Sequence, residues 1–183
     1  MATKKAAAKK SSTKKSPAME NSIFHKFFLD SLKDLYWAEN NLLKALVKMK
    51  KAATSKQLAA AFEQHHGQTQ QHVEKLKQVF ELLGKKASGV KCDAMAGIIE
   101  EGKGVIEDTK TDTMTRDAAL ILAAQKAEHY EIASYGTLRV FANHMGHTQV
   151  SDILSGILEE EKACDVSLTE LAEGFINEEA SEE

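Results

Sequence analysis

Residues 24–49 read FHKFFLDSLKDLYWAENNLLKALVKM, and the spacing of their apolar side chains decides the fold. Phe24, Phe28, Leu32, Leu35, Leu42, Leu46 and Met49 recur at intervals of three, four or seven. At about 100° per residue they line one face of a helix, whereas a strand would need alternation with a period of two. One member of the line is not apolar: Glu39 falls between Leu35 and Leu42, on the face that must meet the core. An ionised carboxylate alone in an apolar interior is very costly, so it is protonated, paired or bound to a cation.

The periodicity returns in three more long segments. The first segment spans residues 21–52, and Thr54-Ser55 supplies a turn and a cap for the second. The second carries Leu58, Phe62, Leu76, Val79 and Leu83 in line and stops at Gly84, in the C′ role that favours glycine. The third, residues 115–143, presents Leu120, Ala124, Tyr135, Leu138 and Ala142. The fourth follows Gly146 with Thr148 as its expected cap, and presents Val150, Ile153, Leu154, Ile157, Leu158, Leu168 and Phe175. Short links make segments one and two, and three and four, antiparallel hairpins. Residues 85–114 connect the hairpins and contain one shorter amphipathic helix, residues 93–107, with Met95, Ile98, Ile99, Val105 and Ile106. Two hairpins joined by one long crossover predict an all-α, ferritin-like four-helix bundle with an extra short helix in the crossover connection. A weak internal repeat agrees: Ala38-Glu39 echoes Ala127-Glu128, and Phe62-x-x-His65-x-x-x-Thr69 echoes Leu158-x-x-Glu161-x-x-x-Asp165.

Charge divides the chain into a tail at 1–19, a bundle at 20–176 and an acidic tail at 177–183 that is expected to fray. The net charge of −3 hides six lysines and no acid in residues 1–19, so the remainder carries −9. That Ala/Lys/Ser/Thr arm is too polar to order itself, and suits either a solubilising role or a weak contact with nucleic acid through phosphate neutralisation. No run approaches the roughly 20 apolar residues of a membrane span, and the N-terminus lacks a signal-peptide core, so no membrane partner and a cytoplasmic location are expected. Cys92 and Cys164 form no CxxC and are expected as thiols.

Several polar groups share the core stripes. Glu128 and Glu131 flank the line from Ala124 to Tyr135, and Glu161 sits among Ile157, Leu158 and Leu168 with Cys164 and Asp165 beside it. His65 lies between Phe62 and Thr69, and His72 continues that stripe toward Leu76. Glu39 and His65 stand at similar distances from their shared turn, as do Glu131 and Glu161. At about 1.5 Å per residue, four helices can therefore present ligands at one mid-bundle level. The candidate metal ligands are Glu39, His65, Glu128, Glu131 and Glu161, with His72 and Asp165 as additional members. Mixed carboxylate and imidazole donors suit iron or manganese, or else zinc. Glu63-x-x-His66 spells a di-iron motif, but Glu63 points away from the stripe and is rejected. His25, His129, His144 and His147 read as surface or loop residues, the tyrosines as core edges, and Cys164 as a small apolar residue.

Five motifs carry a resemblance to a known family: Asp34-Leu-Tyr-x-Ala-Glu39, Lys91-Cys92-x-Ala-Met-x-Gly-Ile-Ile-Glu, Arg116-Asp-Ala-Ala-Leu-Ile, Glu128-His-Tyr-Glu-Ile-Ala-Ser-Tyr-Gly-Thr-Leu138 and Glu159-Glu-Glu-Lys-Ala-x-Asp165. Over residues 21–173 the chain resembles the YciE/YciF family of bacterial ferritin-like, stress-associated proteins. The resemblance implies a homodimeric bundle with a di-iron or related binuclear site. The chain departs from the family in helix two, where His65-His-Gly-Gln68-Thr69 stands in place of a run like His-Leu-Glu-Glu-Thr, which removes an inward carboxylate at position 68. Three functions remain open. They are a di-metal protein acting on oxygen or peroxide in stress defence, a non-enzymatic bundle with a structural or partner-binding role, and a DNA-associated iron scavenger tethered by the arm.

Overall fold

Helix α1, Ile23–Ala52, starts where Ser22 Oγ accepts a hydrogen bond from His25 N at 3.0 Å. The computed structural model describes residues 21–183, so the lysine-rich arm of residues 1–19 lies outside the described residues. Ser55 caps α2, Lys56–Leu82, by accepting from Gln57 N and Leu58 N. Gly84 follows that helix with φ +67°, a conformation that costs a residue bearing a Cβ, and Lys85 N closes the turn on Phe80 O at 2.9 Å. The crossover helix α3 spans Asp93–Asp108, and α4 spans Met114–His144 behind its cap Thr113. Helix α5 is Thr148–Leu171, with His147 rather than Thr148 in the N-cap position. The described residues are helical with no strand, and α1 packs on α2 and α4 on α5 as the two expected hairpins.

The acidic end departs from expectation. Instead of fraying, the chain passes through one π-helical turn, Ala172–Ile176, into a short helix α6, Asn177–Ser181. Glu183 then accepts from Met114 N at 2.7 Å and Thr115 N at 3.0 Å. The first amides of α4 have no partners within the helix, and a carboxylate at that positive end satisfies them. A second acid locks the hairpins together: buried Asp117 on α4 accepts from Thr54 N and Ser55 N at 2.7 and 2.6 Å. Arg116 beside it donates to Ile106 O and Thr109 Oγ1, fixing the end of α3.

The apolar interior is split in two. One cluster gathers Leu42, Leu46, Leu58, Phe62, Leu120 and Ala124; the other gathers Phe28, Leu32, Leu76, Val79, Tyr135 and Leu154. Between them every long helix contributes buried polar side chains: Glu39 from α1, His65, Thr69 and His72 from α2, Glu128 and Glu131 from α4, and Glu161 from α5. A polar layer thus crosses the middle of the bundle. Two other sequence expectations fail. His25 is buried within α1 rather than a surface or loop residue, its ring stacked at 5.7 Å on His147 of the link before α5, and Tyr135 is fully buried rather than at a core edge.

Candidate metal centre

The helical repeat explains why these side chains meet. His65 and His72 are two turns apart on α2, so they face inward one above the other; Glu128 and Glu131 occupy adjacent turns of α4 on one face. Glu161 of α5 stands between the two histidines. Its Oε2 lies 3.7 Å from His65 Nε2 and its Oε1 lies 2.9 Å from His72 Nδ1. His65 Nδ1 is 3.1 Å from Glu128 Oε1, and His72 Nδ1 is 3.6 Å from Glu39 Oε1.

Two donor sets result. His65, Glu128, Glu131 and Glu161 each offer one atom, all within 4.8 Å of one another, and Glu39, His72 and Glu161 do the same. Glu161 belongs to both. Several of these atoms lack any hydrogen bond among the described residues: both oxygens of Glu131 and of Glu161, Oε2 of Glu39 and of Glu128, both ring nitrogens of His65, and Nδ1 of His72. The short His–carboxylate distances therefore bring donor atoms together without hydrogen-bond alignment. Buried polar atoms in native proteins are nearly always satisfied, so this concentration of orphaned lone pairs calls for a cation or shared protons. On that test the donor set could hold a metal ion.

Electrostatics points the same way. Burial pushes Glu128 and Glu131 well above the ordinary carboxylate range, reinforced by the neighbouring charges of Glu161 and Glu39. Burial also raises Glu39, against the opposing pull of His72. His65 drops to about 4 because burial disfavours its cation. Burial would lower His72 too, but its contacts with Glu161 and Glu39 override it and lift the imidazole to about 10. The raised carboxyls of Glu39, Glu128 and Glu131 favour their protonated forms, and a bound cation would compete with those protons.

Surrounding residues orient the donors. Tyr135 OH donates to Glu39 Oε1. On its other nitrogen, Nε2, His72 meets Glu160 at 2.6 Å, and Lys75 holds that carboxylate at 2.7 Å. This leaves His72 Nδ1 turned toward Glu39 and Glu161, the carboxylate–histidine arrangement that tunes a ligating imidazole. Cys164 Sγ donates to Glu128 Oε1 at 3.4 Å and makes a third convergent group with His65 and Glu128.

The structure thus brings together Glu39, His65, His72, Glu128, Glu131 and Glu161, and leaves Asp165 outside. Asp165 is half-buried and accepts from Gln125 Nε2 at 3.2 Å, because its position turns it toward α4's flank rather than the layer. Glu63 is exposed and pairs with Lys50, as its phase required. Gln68 is half-buried and belongs to neither donor set. Sequence reasoning missed Tyr135, Glu160 and the polar role of Cys164. Tyr135 had a signal, since a tyrosine on a core stripe needs a partner for its hydroxyl; Glu160, in an acidic run, had none.

Residues 23–181 match the family model described as a domain of unknown function, DUF892. The Escherichia coli K12 protein YciF is 46% identical over 154 residues, covering 84% of this chain and 92% of YciF. The crystal structure of the E. coli stress protein YciF matches with a TM-score of 0.81 at 44% identity, over 85% of this chain and 98% of that one. YcfI of Rhodopseudomonas palustris, described provisionally as a structural protein, matches at 0.78 and 39% identity, over 81% of this chain and 94% of its own. A Xanthomonas campestris protein at 23% identity and a TM-score of 0.66 shares the fold, over 84% of this chain and 93% of its own.

Proposed function

This chain belongs to the DUF892 family, and on that premise we propose that its polar layer holds a pair of transition-metal ions, iron or manganese, serving stress defence through chemistry on oxygen or peroxide. One observation carries the reading: both oxygens of the buried Glu161 lack hydrogen-bond partners, and each faces a different histidine. Glu161 is common to both donor sets, so His65, Glu128 and Glu131 would hold one ion with it and Glu39 and His72 the other. The ions would supply one-electron redox chemistry in a dry, carboxylate-rich setting. The protein's own contribution is to hold the donors in register from four helices and to exclude bulk water with the two apolar clusters. Glu160 keeps the His72 Nε2 side occupied so that Nδ1 faces the site, and the Tyr135 hydroxyl fixes Glu39.

Elemental analysis of protein from iron- and manganese-replete cells tests this directly. Two ions per chain, lost together in Glu161→Gln, are expected; protein free of iron and manganese after such growth refutes it. The rival reading is a structural bundle whose inward groups merely share protons. It is favoured by the His72–Glu160–Lys75 chain of alternating charges and by the description of YcfI. A homodimer belongs to the same proposal, supported by the exposed Phe27 and Val140, and sedimentation at graded concentrations tests it. Among the described residues no helix is long and apolar enough to cross a membrane.

A further inference from the structure

Next to the polar layer, a cavity of about 280 Å³ opens between α1, α3 and α4. A concave space with mainly apolar walls and a few polar groups at its ends is the kind of site that takes a small ligand. Its walls are apolar: Trp37 and Met49 from α1 and Ile98 and Ile99 from α3. Small residues, Ala45 on α1 and Ala124 on α4 among them, leave the room. The inner end is formed by buried His65 and Glu128, two members of the donor set.

The rim has a different character. Lys44 and Lys48, one helical turn apart, are exposed and make no ion pair with any described residue. The rim's other charges, Lys103 and Glu100, pair with each other at 3.2 Å. The cavity is therefore apolar inside and cationic at its mouth, while its inner end offers only the buried His65 and Glu128, with no unpaired cation for an anion.

We propose that this cavity binds an aliphatic monocarboxylate, its carboxylate on Lys44 and Lys48 and its chain running inward to His65 and Glu128. A cavity of about 150 Å³ accommodates benzene, so about 280 Å³ suits roughly ten to twelve non-hydrogen atoms, the size of a medium-chain fatty acid. The inference deepens the proposed function by naming a substrate class for the metal centre. Binding itself needs no metal.

Trp37 is the only tryptophan of the chain and lines the cavity, so its fluorescence reports occupancy. The experiment titrates the full-length protein with decanoate, in chelator and again after loading with iron, with decylamine as the cationic counterpart. A saturable change in Trp37 emission with decanoate, at least tenfold weaker with decylamine, is expected in both states. Lys44→Gln/Lys48→Gln should weaken decanoate binding about fivefold, the value of one or two solvent-exposed ion pairs. Ala124→Phe should abolish it, with circular dichroism checking that the bundle is intact; the surface lysine variant decides the matter if it is not. Absence of a saturable response overturns the proposal, as does equal binding of decylamine or indifference to the lysine change. An emission change that follows protein dilution rather than ligand would assign the cavity to a second copy of the chain and overturn it as well. Because the chelator arm is independent of metal, decanoate binding without metal uptake would sink only the metal reading, and metal uptake without decanoate binding only this one.

Discussion

Replacing Glu128 by Gln separates a metal centre from a structural polar layer by the sign of its effect. Glu128 is fully buried, its Oε2 has no hydrogen bond, and its carboxyl is pushed well above 4.5, first by burial and then by the charge of Glu161. A carboxyl whose folded pKa is raised binds a proton that the unfolded chain releases. Its cost is thus absent at pH 4 and grows as pH rises from the unfolded value toward the folded one. At pH 7.5, where the unfolded chain has released the proton, that raised pKa makes the carboxyl a net cost which a neutral amide does not carry. Proton sharing within the layer and loss of the Cys164 contact reduce what the amide recovers, so about 2 kcal/mol is expected. For a chain of this size that raises the metal-free melting temperature by about 4–8 °C. Iron at a hundredfold excess over its Kd should stabilise the wild type by about 2.7 kcal/mol for each ion bound, or about 5–11 °C per ion. The variant, short of one ligand, should gain less than half of that. Differential scanning calorimetry at pH 7.5, with and without Fe(II) under anaerobic conditions, reads all four values. If Glu128→Gln melts lower than wild type without metal, and added metal moves neither curve, Glu128 is a paired structural carboxylate and the metal centre is wrong.

Three further outcomes check independent parts of the argument. Glu63→Ala should leave metal stoichiometry unchanged, since Glu63 is exposed and pairs with Lys50, whereas His65→Ala should empty at least one position; the reverse pattern by elemental analysis would mean α2 is out of phase. In the metal-free protein His72 should remain an imidazolium through pH 8 by NMR, because its contacts with Glu161 and Glu39 raise it to about 10; its stabilisation is complete below pH 6.5 and disappears as pH climbs toward 10. Titration of His72 near 6.5 would contradict this. Asp117→Ala should lower the melting temperature by about 4–8 °C through loss of two charge-assisted bonds to Thr54 N and Ser55 N, with metal stoichiometry intact; a drop below 2 °C would deny Asp117 its part in joining the hairpins.

From the sequence by itself, the 3.6-residue spacing determined the helices, the link lengths determined the two hairpins, and the phase of each stripe put Glu39, Glu128, Glu131, Glu161 and His65 inward. These features are legible because facing direction is a local property: 100° per residue fixes which side of a helix a residue occupies, whatever lies opposite. What lies opposite is not local. Only the tertiary structure decided that Glu161 addresses two histidines at once, that Tyr135 donates to Glu39, and that Glu160 reaches His72 from an acidic run that reads as a solvated face. It likewise excluded Asp165, which shares Glu161's helix but turns toward Gln125, and it drew the acidic end into a short helix, beyond which Glu183 caps α4. Each of these depends on the rotation and axial offset of one helix against another, quantities set by packing of the whole core and absent from the period of any single segment.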